Sequence, residues 1–165
     1  MSRTFSINFP NTESELETPL GKLQRAACNK LLVTGGLAIH GSASTLAKIA
    51  NAIYYLIDGA LCTLAAADLP ALSGTVVNGT FNVFAFYVNA AGTVVTVMGT
   101  AASTLAGVVF PTIPDGNISI GFVIVNPTGT GNFVGGTTHL DDGTVVPNAV
   151  YVNTVDVFSA SLATL

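Results

Sequence analysis

Phe5, Ile7 and Phe9 alternate with polar residues ahead of Pro10-Asn11. Strand side chains repeat every two residues, so this pattern predicts an extended arm with one apolar face. Thr18-Pro19 then supplies a helix N-cap and a proline at the first helical position. Leu20, Leu23, Ala27 and Leu31 follow at helical spacing, and Gly35-Gly36 stops the run. The spacing predicts a short amphipathic helix over residues 19–32. Glu13, Glu15 and Glu17 precede it while Lys22, Arg25 and Lys30 lie within it, broadly the order the helix dipole favours.

From about Lys48 the pattern turns to β. An apolar run over 49–57 meets Asp58-Gly59, and a second run over 60–65 follows. Asp-Gly between two apolar runs is among the strongest short hairpin signals. Leu46, Ile49, Ile53 and Ile57 also match a helical period, and periodicity alone leaves that reading open. The aromatic and β-branched run over 81–88 predicts a strand, which Asn89-Ala-Ala-Gly92 turns into a second strand over 93–98. Pro111, Pro114 and Asp115-Gly116 punctuate a loop before a buried strand over 118–125. A last strand is expected over 145–157, interrupted early by Pro147. Gly-Thr-Val-Val recurs at 74–77, 92–95 and 143–146, at unequal spacing, as turn-to-strand punctuation rather than a repeat. Many short strands with Gly and Pro turns predict a mainly β fold, an antiparallel β-sandwich or barrel over 48–165. The arm and the short amphipathic helix form a separate N-terminal region over 1–47.

Composition sharpens this picture. Half of the 165 residues are hydrophobic and only 8% are charged, against about 25% in an ordinary soluble domain. Such hydrophobicity opposes disorder, and the chain is long enough for a sizeable core without disulfides. All five cations (Arg3, Lys22, Arg25, Lys30 and Lys48) lie in residues 1–48, which carry a net +2, and the remainder carries −6. The 117 residues after Lys48 contain no Lys or Arg. Nucleic-acid affinity rests on cationic contacts with phosphates, and phosphoryl transfer needs a cation in its transition state. Neither function suits the body of this chain. The most apolar window, 81–98, includes Asn82, Asn89, Gly92, Thr93 and Thr96 and fits two strands and a turn rather than a lipid-facing helix. The first ten residues lack a basic stretch leading into a long apolar one. The expectation is a chain with no signal peptide and no membrane partner.

Candidate chemistry is sparse. His139-Leu-Asp141-Asp142-Gly143 is the one place where a histidine and carboxylates crowd together, and His-x-Asp on a strand would share one face. His40 lies about a hundred residues away in sequence, and two aspartates fall short of a calcium loop. A polar loop closed by an Asp-Gly turn accounts for the segment. The glycine-rich stretch 129–136 lacks the lysine of a phosphate loop and the helix of a dinucleotide fingerprint. Gly-x-Ser-x-Gly is absent, and Ser42 and Ser44 after His40 are a weak substitute. Cys28 and Cys62 are too few for a disulfide framework or a zinc site and read as free thiols. The expectation is no enzyme, no cofactor and no metal.

Three segments carry a resemblance: Tyr54-Tyr-Leu-Ile-Asp-Gly59, Phe84-Ala-Phe-Tyr-Val-Asn-Ala-Ala-Gly-Thr93 and Gly121-Phe-Val-Ile-Val-Asn-Pro-Thr-Gly-Thr-Gly-Asn-Phe133. With the run 148–155, they resemble small tailed-bacteriophage virion proteins, over roughly residues 48–158. Some of those proteins resemble head decoration (cement) proteins and others fibre or tail components. The resemblance implies a structural protein of a phage particle, made in the bacterial cytoplasm and carried in the virion. An oligomeric capsid decoration protein, a trimer bound to the major capsid protein or another virion protein, is the first expectation. A head- or tail-fibre component that binds a host receptor or glycan is the alternative. In either case the apolar residues of the N-terminal region, Phe5, Ile7, Phe9, Leu20, Leu23 and Leu31, are the expected interface.

Overall fold

Short apolar runs separated by Gly, Pro and Asn resolve into strands in the computed structural model, which describes residues 28–154. In chain order these are β1 (Lys30–Leu31), β2 (Leu37–Ile39), β3 (Ala47–Ile49), β4 (Ile53–Ile57), β5 (Ala60–Leu64) and β6 (Ala67–Asp68). There follow β7 (Thr75–Val76), β8 (Asn82–Asn89), β9 (Val94–Met98), β10 (Asn117–Val125), β11 (Phe133–Val134) and β12 (Val150–Asn153). A single 3-10 turn, Leu105–Gly107, interrupts the segment between β9 and β10. Every strand pairing is antiparallel. The largest sheet has the order β12-β10-β8-β9, and β1-β4-β5, β2-β3-β6 and β11-β7 form three smaller ones. No sheet closes on itself among the described residues, so the fold is sandwich-like rather than a barrel.

The Asp58-Gly59 hairpin forms as the sequence predicts. Ile57 pairs with Ala60 across the two-residue loop, and both loop residues have positive φ, 51° and 78°. That is the backbone of a type I′ turn, which matches the right-handed twist of its strands. At the second predicted turn, Asn89 Oδ1 accepts hydrogen bonds from the N–H groups of Ala91 and Thr93 at 3.0 and 2.9 Å. The side chain thereby holds the loop that the Asn-Ala-Ala-Gly signal announced.

One core joins the four sheets. Ile53, Tyr55 and Ile57 enter it from β4, Leu37, Ala47 and Ile49 from β2 and β3, and Phe84, Phe86 and Val88 from β8. Ile118, Ile120, Val123 and Val125 of β10 complete the large sheet's contribution. Val76 and Phe133 close one end, with the Phe133 ring set edge-on to Phe84 at 5.8 Å between centroids. Strand β8 is buried on both faces, in keeping with its almost unbroken apolar run.

Four expectations need correction. The helix expected over 19–32 does not reach its predicted end, because Lys30–Leu31 forms β1 and pairs with Leu56 and Tyr55. Leu31 is therefore a core residue, 3% exposed, rather than part of a helical stripe. Residues 1–27, including the arm and Leu20 and Leu23, lie outside the described residues. The run over 49–57 is neither one strand nor a helix: Ile49 ends β3, and β4 begins at Ile53 in a different sheet. A division between residues 47 and 48 would cut through β3, and Leu31, Leu37 and Ala47 belong to the common core. The last strand is shorter than 145–157: the Asp142 carbonyl takes the N–H groups of Val145 and Val146 at 3.1 and 2.7 Å, holding them in a turn. Its expected end, 155–157, lies outside the described residues.

Candidate interaction surfaces

The large sheet has a second face, opposite the core. Register places Val152, Phe122, Ala85 and Val97 in one row across it, and Val150, Ile124 and Val83 in the next. Tyr87 and Val95 stand opposite each other on the same face. Residues 99–114 cross this face as a strap. Thr100 and Val109 exchange N–H···O bonds of 2.9 and 3.2 Å, and Ala102 and Phe81 exchange bonds of 3.0 and 2.8 Å. Farther on, the Phe110 ring sits edge-on to Phe122 at 4.8 Å, and the Tyr87 hydroxyl donates to the Pro111 carbonyl at 2.8 Å. Burial pushes the Tyr87 phenol above its usual pKa.

The strap buries Val83, Ala85 and Tyr87 but leaves its own outer side chains in solvent. Val109 is 61% exposed, and Phe110 and Ile113 are each 50% exposed. Leu105 on the strap, and Val95 and Val150 at the two edge strands, are exposed as well. No Asp, Glu, Lys or Arg occurs anywhere from Leu69 to Pro114, a stretch of 46 residues. The result is an apolar, charge-free surface.

A groove of about 390 Å³ opens where β1 passes β10. Leu31, Ile113, Pro114 and Ile118 give it an apolar lining, and Thr154 stands at its rim. Strand β1 and the residue that follows β12 therefore border one groove. The Thr154 N–H donates to the Ile120 carbonyl at 3.1 Å, and the Thr154 and Ser119 hydroxyls are 3.0 Å apart.

His40 pairs with a carboxylate far from it in sequence. His40 Nδ1 meets Asp68 Oδ1 at 2.5 Å, with both side chains about half exposed. Lys48 is the register partner of Asp68, and the three border a shallow depression of about 340 Å³. The pair links the end of β2 to the edge strand β6 across β3. The Ser44 hydroxyl, a candidate nucleophile near His40, bonds locally to Leu46, accepting from its N–H at 3.1 Å and donating to its carbonyl at 3.3 Å. In the 139–143 loop, Asp141 Oδ2 accepts from the Ala43 N–H at 2.8 Å. Asp142 Oδ1 accepts from both the N–H and the hydroxyl of Thr144, at 2.9 and 2.6 Å. Those bonds hold the Asp142 carboxyl below its usual pKa. Asp142 thus builds a local turn, and Asp141 ties its loop to the segment around Ala43. Among the described residues, no group of three or more His, Cys, Asp or Glu side chains is arranged to hold a metal ion.

Comparison with protein-family models, with curated proteins and with solved structures finds no match to this chain.

The glycine-rich stretch packs against protein. Asn78 Nδ2 donates to the carbonyls of Gly129 and Gly131 at 2.6 and 3.1 Å, and the Asn78 N–H donates to Asn132 Oδ1 at 2.9 Å. A Cβ at Gly129 would collide with the Thr144 carbonyl, which explains the glycine there. Cys28 and Cys62 are both free, and no helix among the described residues is long and apolar enough to cross a membrane. Of the six expected interface residues, the described region contains only Leu31, which lies in the core and also lines the groove. The strap surface escaped the sequence reading because its apolar residues follow no regular period. The absence of charge from 69 to 114 was the available signal.

Proposed function

We propose that this chain is a non-enzymatic structural protein of a phage particle, an oligomeric capsid decoration protein that binds and stabilises the shell. The observation that carries this reading is the charge-free strap surface, with Val109, Phe110 and Ile113 half or more exposed. Exposed apolar patches rimmed by polar residues mark protein contact sites, and a subunit of a large assembly has such a surface to bury. The resemblance to virion proteins supports the same reading. Its segments 54–59, 84–93 and 121–133 fall on β4, β8 and β10, the strands that supply much of the core.

The partner in this reading is the major capsid protein or another virion protein, and trimers suit the three-fold positions of an icosahedral shell. The test is copy number. A quantified gel band from purified particles, identified by mass spectrometry, should correspond to hundreds of copies spread over the shell. A few copies confined to one vertex or the tail would favour a fibre component. Absence of the chain from purified particles would overturn the proposal.

A further inference from the structure

We infer that the strap surface is a self-association surface whose occupant is a second copy of this chain. The inference rests on the oligomeric part of the reading above and not on the particle that carries it. Three observations converge. Val109, Phe110, Ile113 and Leu105 project from the strap, and Val150 and Val95 extend the apolar area to both edges of the sheet beneath. Neither the strap nor strands β8 and β9 contain an ionisable acid or base other than Tyr87, whose hydroxyl is already bonded to Pro111. Strand β9 is moreover an edge of the large sheet, and it has none of the Lys or Pro residues that usually blunt such edges.

Charge complementarity selects the occupant. A partner with a charged docking face would leave that charge desolvated against a surface holding no counter-charge, at a cost of several kcal/mol per ion. A second copy brings an equally charge-free, apolar face and incurs no such penalty. Its β9 edge also offers the backbone N–H and C=O groups that the first copy's edge lacks. A patch that lies on the symmetry axis is buried by every subunit of a closed oligomer, in a two-fold dimer and a three-fold trimer alike.

Val109→Glu tests the inference. Val109 is the most exposed large side chain on the strap, and its described hydrogen bonds are made by its backbone, so the substitution adds a charge without removing a buried contact. Leu61→Glu, on β5 of a different sheet and 66% exposed, is the control. Sedimentation velocity of the full chain at about 1–50 µM should show an oligomer for the parent chain and for Leu61→Glu. Val109→Glu should raise the dissociation constant by at least about tenfold while leaving the circular dichroism spectrum unchanged. Phe110→Ser, which trims the strap without adding charge, should act in the same direction. A parent chain that is monomeric throughout the range overturns the inference, as does a Val109→Glu protein whose dissociation constant is unchanged. If the parent is monomeric yet Val109→Glu abolishes binding to purified shells, the face belongs to a shell protein and self-association is wrong. Failure of the particle reading looks different: the chain is then missing from purified particles while its oligomer still depends on Val109.

Discussion

The Tyr87 hydroxyl donates to the Pro111 carbonyl oxygen at 2.8 Å, fastening the far end of the strap to β8, an inner strand of the largest sheet. This part-buried hydrogen bond fixes where the strap lies and therefore where Val109, Phe110 and Ile113 are displayed. Tyr87→Phe keeps the ring and removes the bond. Chemical denaturation should show a loss of about 1 kcal/mol. Amide exchange should quicken in residues 108–114 before it changes in β4, and equal changes in both would show that the bond serves the whole core instead.

Among the described residues, Asn82 is the fully buried polar side chain, with no measurable exposure. Its Nδ2 donates to the Gly99 carbonyl at 3.0 Å and its Oδ1 accepts the Val83 N–H at 2.8 Å, joining the start of β8 to the start of the strap. Asn82→Leu preserves approximate volume but leaves both backbone groups without that partner. A loss of about 1–3 kcal/mol is expected in urea unfolding, with the m-value unchanged.

Alkaline pH should weaken the fold through its tyrosines. Burial, and to a lesser extent the Asp141 charge, push the Tyr151 phenol up to about 12. Tyr55 is raised by burial and then by Cys62, and Tyr87 by burial. A raised phenol pKa means that the folded chain keeps its proton where the unfolded chain has lost it. The associated stability is complete below about pH 10 and disappears as pH rises toward about 12. The melting temperature should accordingly fall across that window. The Tyr151 hydroxyl is buried with no hydrogen-bond partner among the described residues. Tyr151→Phe should therefore flatten the alkaline fall and, at neutral pH, stabilise the protein by about 1 kcal/mol. Tyr55→Phe should destabilise instead, because the Tyr55 hydroxyl donates to the Asn89 carbonyl at 2.9 Å.

Two glycines separate backbone conformation from close approach. Gly59 has φ +78° and open space around it, so Gly59→Ala strains only the hairpin and should cost about 1 kcal/mol. At Gly129 a methyl group would collide with the Thr144 backbone, and Gly129→Ala should cost more, about 2–4 kcal/mol in thermal unfolding, because the 142–146 turn must move.

Deleting residues 1–17 should leave the circular dichroism spectrum of the β-body in place and reduce incorporation into particles, measured as copies per particle. Full occupancy by the truncated chain would show that the arm with Phe5, Ile7 and Phe9 is not the anchor.

The parts of the fold that were legible in the sequence are those decided locally. Asp58-Gly59 encodes its own positive φ values, Asn89 closes its own turn, and the run around Phe84 and Phe86 has no alternative to deep burial. The missed parts depend on partners distant in sequence. Lys30–Leu31 is a strand only because β4 offers Leu56 and Tyr55 to pair with, and nothing in two residues announces that. His40 and Asp68 lie 28 residues apart and meet across a third strand, whereas Asp141, two residues from His139 in sequence, bonds to the Ala43 N–H. The strap takes its shape from Phe81 and Tyr87 rather than from any period of its own. Of the expected interface residues, Leu31 lies in the described region, where it joins the core from β1 and also lines the groove.

Lys48 sits within the middle strand of the β2-β3-β6 sheet, opposite Ala38 on one side and Asp68 on the other. As the last Lys or Arg in the chain, it marks a chemical divide as well as a position in the fold. Trypsin has no cleavage site in the 117 residues beyond it, so resistance of that region to trypsin reports nothing about its folding. Amine-directed cross-linkers are likewise blind to the strap and the large sheet, whatever those surfaces touch. Mapping contacts there calls for carbene footprinting, since the strap and the strands beneath it hold no carboxylate either, and following unfolding by proteolysis calls for an enzyme that cuts beside Phe, Leu or Tyr.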